Sequence, residues 1–136
     1  MSLVYTDIIL KNSNDLLNAK SGLLTEDAVR MIETRVLVDT GAWTLVINEE
    51  TREKLGLMIR GTEPGTLANG KSSNYELAGP VEVIWKNRRT SCDALIIPGA
   101  NEILLGAIPL EGMDLMVCPK REEVVGAHGD EPLYRI

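Results

Sequence analysis

Several of the groups that hydrolytic enzymes use are scarce in this 136-residue sequence. It has one histidine, His128, which lies in a glycine-rich polar tail, and it has no Gly-x-Ser-x-Gly motif. A serine hydrolase therefore finds little support, because it needs a histidine base beside an activated serine. Cys92 and Cys118 are the only cysteines, and they are far apart and lack metal-site spacing. We expect reduced core cysteines, with a disulfide as the alternative, and we expect no metal and no cofactor.

Basic residues and long apolar segments are also few. The chain has 14 Lys and Arg residues against 20 Asp and Glu residues, a net charge of -6. Nucleic acids and anionic membranes would repel this charge, so we expect neither as a partner. We expect the basic cluster at residues 86–89 to be a solvated hairpin turn. No segment reaches membrane-spanning length and the N-terminus has no apolar leader, so we expect a cytoplasmic protein.

The sequence Asp-Thr-Gly occurs once, at residues 39–41, directly after an apolar run. Cleaving a peptide with carboxyl groups alone requires two of them, one ionised to activate water and one protonated to polarise the carbonyl. Two adjacent carboxyls share a proton, since they cannot both ionise in close contact. If Asp39 is catalytic, its partner must come from an identical chain across a two-fold axis. The motif then predicts a homodimer; the alternative is an ordinary turn tripeptide.

The residues around Asp39 suit a catalytic loop. Residues 33–38 carry β-branched and apolar side chains and predict a strand that delivers Asp39 on a rigid support. The Thr40 hydroxyl can donate and accept, so it could tie two such loops together. Gly41 leaves room for water or substrate and allows a turn with positive φ.

The segments after this motif predict short β elements and helices. Residues 45–47 predict a strand, and residues 48–57 predict a helix with Asn48 as N-cap and Gly56 as its stop. The Asn69-Gly70 pair lies between extended segments and predicts a β-hairpin, which could serve as a lid over a cleft.

Further elements follow the same kind of pattern. A second hairpin is predicted over residues 81–98, a short helix or turn over 109–113, and a last strand over 115–117. The N-terminal residues 3–10 alternate enough for a strand, whereas residues 16–24 fit either a short helix or a loop. The tail at residues 121–136 is either disordered or exchanged with a partner subunit.

The order of these elements resembles the retroviral-type (retropepsin-like) aspartic proteases, particularly their bacterial single-domain relatives. The resemblance covers about residues 28–122, and its matching pieces are residues 38–42, the hairpin at Asn69-Gly70, residues 79–83, and the stretch from residues 104–106 to 115–119. It implies a mainly all-β fold, a closed retropepsin-like β-barrel with one or two short helices, in a homodimer. We expect a single domain over residues 1–136, with residues 12–27 as an insertion of unclear structure.

The resemblance also implies roles for individual residues. Asp39 of each subunit would form the catalytic dyad, in an aspartic endopeptidase that cuts peptide or protein substrates. The loop would be supported by Thr40, Gly41 and Ala42, and from behind by Leu104, Leu105 and Gly106. The flap would carry Asn69, Gly70 and Lys71.

Two residues depart from the viral pattern. Trp43 stands where viral members often carry Asp, and Ala107 stands where they often carry Arg. Those viral residues form an ion pair near the dimer contact, so the loss of both leaves no unpaired charge. We expect Trp43 to be a core or interface anchor, with narrowing of a binding subsite as the alternative.

Two competing interpretations remain. Residues 65–72 fit the phosphate-loop pattern, but that loop needs a strand before it and a helix after it. Residues 60–64 do not resemble a strand, and Gly79-Pro80 would stop a helix, so we do not favour this interpretation. The other alternative is a catalytically silent β-barrel that dimerises or binds peptide through the same cleft.

Overall fold

A computed structural model describes residues 3–136; strands make up 46% of these residues and helices, with one 3₁₀ turn, 18%. The strands are β1 (Tyr5–Asn12), β2 (Met31–Val38), β3 (Leu45–Ile47), β4 (Met58–Thr66), β5 (Ser72–Trp85), β6 (Arg88–Ile96), β7 (Leu104–Leu105), β8 (Leu115–Cys118) and β9 (Glu123–Gly126). The helices are α1 (Ser13–Lys20), α2 (Glu49–Leu55) and α3 (Ala107–Gly112), and Glu26–Ala28 is a 3₁₀ turn. The prediction of a mainly β chain is confirmed. The predicted number of one or two helices is wrong, because residues 13–20 form a third helix.

Six strands pair in a ring that returns to its starting strand. Hydrogen-bonded neighbours follow the order β1, β2, β7, β3, β6, β5, and β5 pairs again with β1. β4 pairs with β5 outside this ring, and β8 pairs with β9 in a separate two-stranded sheet. Strands within the ring therefore have partners on both sides, which leaves few edges open to other chains.

Aliphatic side chains fill the interior of the ring. Successive side chains of a strand point to opposite faces, so alternate residues of β1 and β5 meet inside. The buried residues from these and the neighbouring strands include Ile8, Leu10, Val36, Leu45, Ile47, Val81, Val83 and Leu105. Burying one such side chain stabilises the fold by roughly 1.5–3 kcal/mol, so the strands that carry the loops are firmly held.

Helix α2 has the caps that its sequence predicts. The Asn48 side chain accepts a hydrogen bond from the Thr51 amide at 2.9 Å, and Gly56 ends the helix with φ of 62°. Glycine adopts this left-handed conformation without steric penalty. The predicted helix, its N-cap and its stop are confirmed, and Leu55 anchors it in the core.

Residues 12–27, for which the sequence left alternatives open, form α1 and the 3₁₀ turn. Asn12 caps α1 by accepting a hydrogen bond from the Asp15 amide at 3.0 Å, and its side chain also donates to the Leu55 carbonyl at 2.8 Å. Asp15 is buried and accepts from the Arg30 backbone amide, Nε and Nη2, at 3.0, 2.9 and 3.0 Å. The Arg30 guanidinium holds the pKa of Asp15 below its usual value. These bonds fasten the insertion to the start of β2.

The basic cluster differs from the prediction of a solvated turn. Only Lys86 and Asn87 form the turn, and Arg88 begins β6 with 2% of its surface exposed. Its guanidinium donates to the carbonyl oxygens of Met113, Asp114 and Gly129, at 3.1, 2.6 and 2.5 Å. The prediction is therefore wrong for Arg88, which is a structural residue beneath the C-terminal tail.

The tail begins with a strand and is then held by one carboxylate. Strand β9 pairs with β8, and beyond it Asp114 accepts from the Leu133 amide at 3.0 Å and lies 2.9 Å from His128 Nδ1. The Leu133 amide and His128 hold the pKa of Asp114 below its usual value. His128 is paired with Asp114 although its side chain is about half exposed.

Both cysteines are free thiols, so the disulfide alternative is wrong. Burial raises the pKa of Cys92 to about 11, which makes it an inert packing residue. Among residues 3–136, no helix has the length and apolar character needed to cross a membrane.

Candidate active site

Asp39 lies directly after β2, at the start of the loop that leads into β3. The loop comprises residues 39–44 and is called the Asp loop below. Strands β2 and β3 do not pair with each other, because β7 lies between them, parallel to β2 and antiparallel to β3. The Asp loop therefore leaves the ring at one end and passes around β7.

Backbone hydrogen bonds hold the Asp loop against the segment that follows β7. The Asp39 amide donates to Leu105 O at 3.0 Å, and the amides of Ala107 and Ile108 donate to Ala42 O and Trp43 O at 2.8 and 3.0 Å. Gly106 permits this approach, since a Cβ there would lie 2.6 Å from Ala42 O and would also collide with Thr44 O. Leu105 and Gly106 thus lie directly behind the loop.

The Asp39 carboxyl is half-buried, and its Oδ1 accepts a hydrogen bond from the Gly41 amide at 2.9 Å. Within residues 3–136, it forms no ion pair. The predicted positive φ of Gly41 is wrong; instead, a Cβ there would lie 3.3 Å from Asp39 Oδ1. Glycine at this position therefore gives its amide close access to the carboxylate.

Thr40 and Gly41 lie on the outer surface of the Asp loop. Both are exposed, and in the part of the chain that the structure describes the Thr40 hydroxyl has no hydrogen-bond partner. A hydroxyl that can donate and accept is thus available at the surface next to Asp39.

The predicted hairpin at Asn69-Gly70 is confirmed as the turn between β4 and β5. The Leu67 amide donates to Lys71 O at 2.9 Å, and the Gly70 amide donates to Leu67 O at 2.8 Å. Gly70 has φ of 85°, which glycine adopts readily, and Asn69 Oδ1 accepts from the Lys71 amide at 2.9 Å. Asn69, Gly70 and Lys71 therefore form the tip of a long two-stranded arm.

This hairpin also decides the phosphate-loop interpretation. The expectation that residues 60–64 are not a strand is wrong, because they belong to β4. The segment after the motif is strand β5, however, and a phosphate loop needs a helix there, whose N-terminus faces the phosphates. The match at residues 65–72 consequently lacks the structure that phosphate binding requires.

A cavity of about 530 Å³ joins the Asp loop to the hairpin arm. Asp39, Gly41 and Ala42 line one side, and residues 64–68 of the arm and its turn line another. The rest of the wall is apolar, as is Leu67, and comprises Trp43, Val46, Tyr75, Leu95, Ile97 and Leu104. The combination of an apolar wall with one carboxyl is typical of a binding cleft.

The structure brings together part of the predicted site. Asp39, Gly41, Ala42 and Leu104 line the cavity, Leu105 and Gly106 lie behind the loop, and the hairpin tip lies beyond the lining residues Leu67 and Ala68. The sequence did not identify Tyr75, Leu95 and Ile97, whose only signal is that they belong to β-rich segments. Gly65 makes room for Tyr75, since a Cβ there would lie 3.1 Å from its ring.

Trp43 is not a core residue, which corrects one of the predictions for it. Its exposed fraction is 53%, and it lines the cavity beside Asp39. The remaining predictions, an interface anchor or a residue that narrows a subsite, are both compatible with this location.

The sequence profile of a family described as aspartyl protease matches residues 29–129, well over half of the chain. The chain belongs to the aspartyl protease family. The resemblance to retropepsin-like enzymes is thereby confirmed at the level of the family. The matched part of this aspartyl protease family member contains the Asp loop, the hairpin and β7, whereas helix α1 lies outside it. No curated protein matches the chain significantly.

No metal site stands out beside this arrangement. In the described part of the chain, no three His, Cys, Asp or Glu side chains are grouped so that they could hold a metal ion. The chemistry that the visible site offers is that of a carboxyl group next to an apolar cleft.

Proposed function

We propose that this protein is an aspartic endopeptidase that acts as a homodimer of closed, retropepsin-type β-barrels. One Asp39 from each chain would form the catalytic pair, and the whole chain would act as one domain in the cytoplasm. The observation that carries the proposal is the Asp39 carboxyl, held by the Gly41 amide at the wall of the cavity beneath the hairpin. The family match supports the same activity.

The need for a second chain follows from the chemistry. Peptide hydrolysis by carboxyls requires an acid and a base at once, and one carboxyl cannot be both. A two-fold axis beside Asp39 would bring two identical carboxyls together through the same surface of each chain. The exposed Thr40 hydroxyl supports this arrangement, because it is available to bond the partner's loop.

In the proposed mechanism, the ionised Asp39 removes a proton from a water held between the two carboxyls. The protonated Asp39 of the other chain donates a hydrogen bond to the scissile carbonyl as the water oxygen attacks its carbon. The C–N bond then breaks while the nitrogen receives the proton that Asp39 took from the water, which yields a carboxylic acid and an amine. Backbone bonds to Leu105 and Gly41 keep each carboxyl oriented.

The test compares wild-type protein with Asp39→Asn on a broad peptide library between about pH 3.5 and about pH 7.5. Asp27→Asn is the matched control, since Asp27 lies on the exposed 3₁₀ turn of the insertion. We expect cleavage by wild type and by the control, and a loss of about 10²- to 10⁴-fold in Asp39→Asn. Equal cleavage by Asp39→Asn at unchanged size in solution would contradict the proposal.

A second candidate is a dimer that binds peptides without cutting them. The observation that favours it is the exposed Trp43 in the wall of the cavity, where an indole ring would narrow the space beside Asp39. If neither wild type nor Asp39→Asn cuts while both are folded dimers and bind library peptides, the binding function replaces the catalytic one.

A further inference from the structure

A second groove lies on the outer face of the sheet, between helix α1 and strands β5 and β6. Its volume is about 500 Å³, and it shares no lining residue with the Asp39 cavity. Its apolar part is formed by Leu16 and Leu17 of α1 together with Pro80 and Ile84 of β5. We call it the α1 groove.

The apolar part of the α1 groove is partly open to solvent, since Leu17 is exposed while Leu16, Pro80 and Ile84 are half-buried. Leu17 is 63% exposed, although a leucine on a helix that lies against a sheet would ordinarily be covered. Helix α1 also lies outside the segment that matches the protease family. Contiguous exposed apolar surface next to polar residues is a common feature of interaction sites.

The rim of the groove is positively charged on an acidic protein. Lys11, Lys20 and Arg89 line it, against the single carboxylate of Glu82. Arg89 lies 3.3 Å from Glu82 and already neutralises it. In the described chain Lys11 and Lys20 form no ion pair. The groove thus has three basic residues and one acidic residue, whereas the whole chain has 14 basic and 20 acidic residues.

The groove continues along the sheet. Ile84 also lines an adjacent cavity of about 470 Å³ over β1 and β2, whose lining includes Ile9 and four charged residues, Asp7, Glu33, Arg35 and Lys86. The excess of positive charge is therefore confined to the α1 groove. Ile9 and Ile84 are paired across the β1–β5 ladder, so the apolar surface extends from one cavity to the next. Together the two cavities could accommodate a segment of several residues.

We propose that the α1 groove binds an acidic segment of another protein that carries apolar side chains. The apolar side chains would pack on Leu17 and Ile84, and the carboxylates would pair with Lys11 and Lys20. A second copy of this chain as the occupant is a separate outcome, which the test below distinguishes. The proposal does not depend on catalysis by Asp39, and it gives the protein a docking site outside the cleft.

The probe is a short fluorescein-labelled peptide of alternating glutamate and leucine, and binding is measured by fluorescence anisotropy at low salt. The full chain carries Asp39→Asn so that the peptide is not cut. Two further peptides replace glutamate by glutamine or leucine by serine. We expect the glutamate-leucine peptide to bind more tightly than either, and binding to weaken as salt is added.

The variants locate the binding on the surface. Lys11→Glu with Lys20→Glu should weaken binding roughly tenfold, since two attractive contacts become repulsive. Leu17→Ser should weaken it severalfold without a change of charge. The matched control, Lys120→Glu with Arg135→Glu, has the same net charge but alters exposed basic residues elsewhere, which form no ion pair in the described chain. Circular dichroism checks that all variants are folded.

Several outcomes would overturn the proposal. One is equal weakening by the control pair, which would mean attraction to net charge alone. Another is binding that neither Leu17→Ser nor Lys11→Glu with Lys20→Glu weakens, which would place the peptide outside the α1 groove. Self-association that Lys11→Glu with Lys20→Glu abolishes would make the groove an interface between copies. Absence of binding by all three peptides would also reject it.

Discussion

At the scale of single residues, buried charges decide how the α1 insertion and the C-terminal tail are attached. Asp15 receives three hydrogen bonds from Arg30 and fastens the α1 insertion to β2. Arg88 fastens the tail through Gly129 O and also donates to the carbonyl oxygens of Met113 and Asp114. A buried charge without hydrogen-bond partners is costly. Removal of a partner of Asp15 or of Arg88 should therefore destabilise the fold.

Asp15→Asn should lower the free energy of unfolding by about 1–3 kcal/mol at neutral pH, because the ionic hydrogen bonds to Arg30 are lost. The folded protein lowers the pKa of Asp15, so its contribution is present above the unfolded-state pKa and disappears as pH falls through the lower folded-state value. The difference between wild type and variant should therefore shrink in acid. Urea unfolding at neutral and acidic pH measures both effects, with Asp27→Asn as the control. If the difference in free energy of unfolding between wild type and Asp15→Asn is constant with pH, the stabilising role assigned to ionised Asp15 is wrong.

At the scale of elements, the Asp loop depends on a close fit to the segment after β7. Gly106→Ala should push that segment away from Ala42 and Thr44, because the new Cβ has no space. We expect a loss of stability of about 1–3 kcal/mol and a fall in kcat/KM as Asp39 moves.

The measurements are thermal unfolding and steady-state kinetics. Gly61→Ala is the matched control, since a Cβ there meets nothing within 4 Å and the backbone has ordinary φ. If Gly106→Ala keeps the kcat/KM of the wild type, the Asp loop is not positioned by the segment after β7.

At the scale of the whole molecule, the proposed activity belongs to a pair of chains. Specific activity should fall on dilution, and an excess of Asp39→Asn should suppress wild type by forming mixed dimers with one working carboxyl. With nine variant chains for each wild-type chain, random pairing leaves about a tenth of the wild-type activity. Activity and sedimentation are measured on the same mixtures.

Unchanged activity in these mixtures, with subunit exchange demonstrated by a mass-tagged variant, would mean that one chain is sufficient. Asp27→Asn in equal excess should have no effect, because its dimers retain both Asp39 carboxyls.

The sequence by itself determined features that depend on a few adjacent residues. The Asn48 cap, the Gly56 stop and the Asn69-Gly70 turn were predictable because local hydrogen bonds and backbone sterics control them. The strand before Asp39 was predictable from its β-branched and apolar residues, and the family from the order of motifs.

The tertiary structure alone decided which distant residues meet. The insertion of β7 between β2 and β3, the burial of Arg88 and the exposure of Trp43 each depend on segments far apart in the chain. No local pattern distinguishes a buried arginine from a solvated one. Whether a side chain faces solvent, core or cleft is a property of the packed ring, because burial is determined by the neighbours that folding supplies.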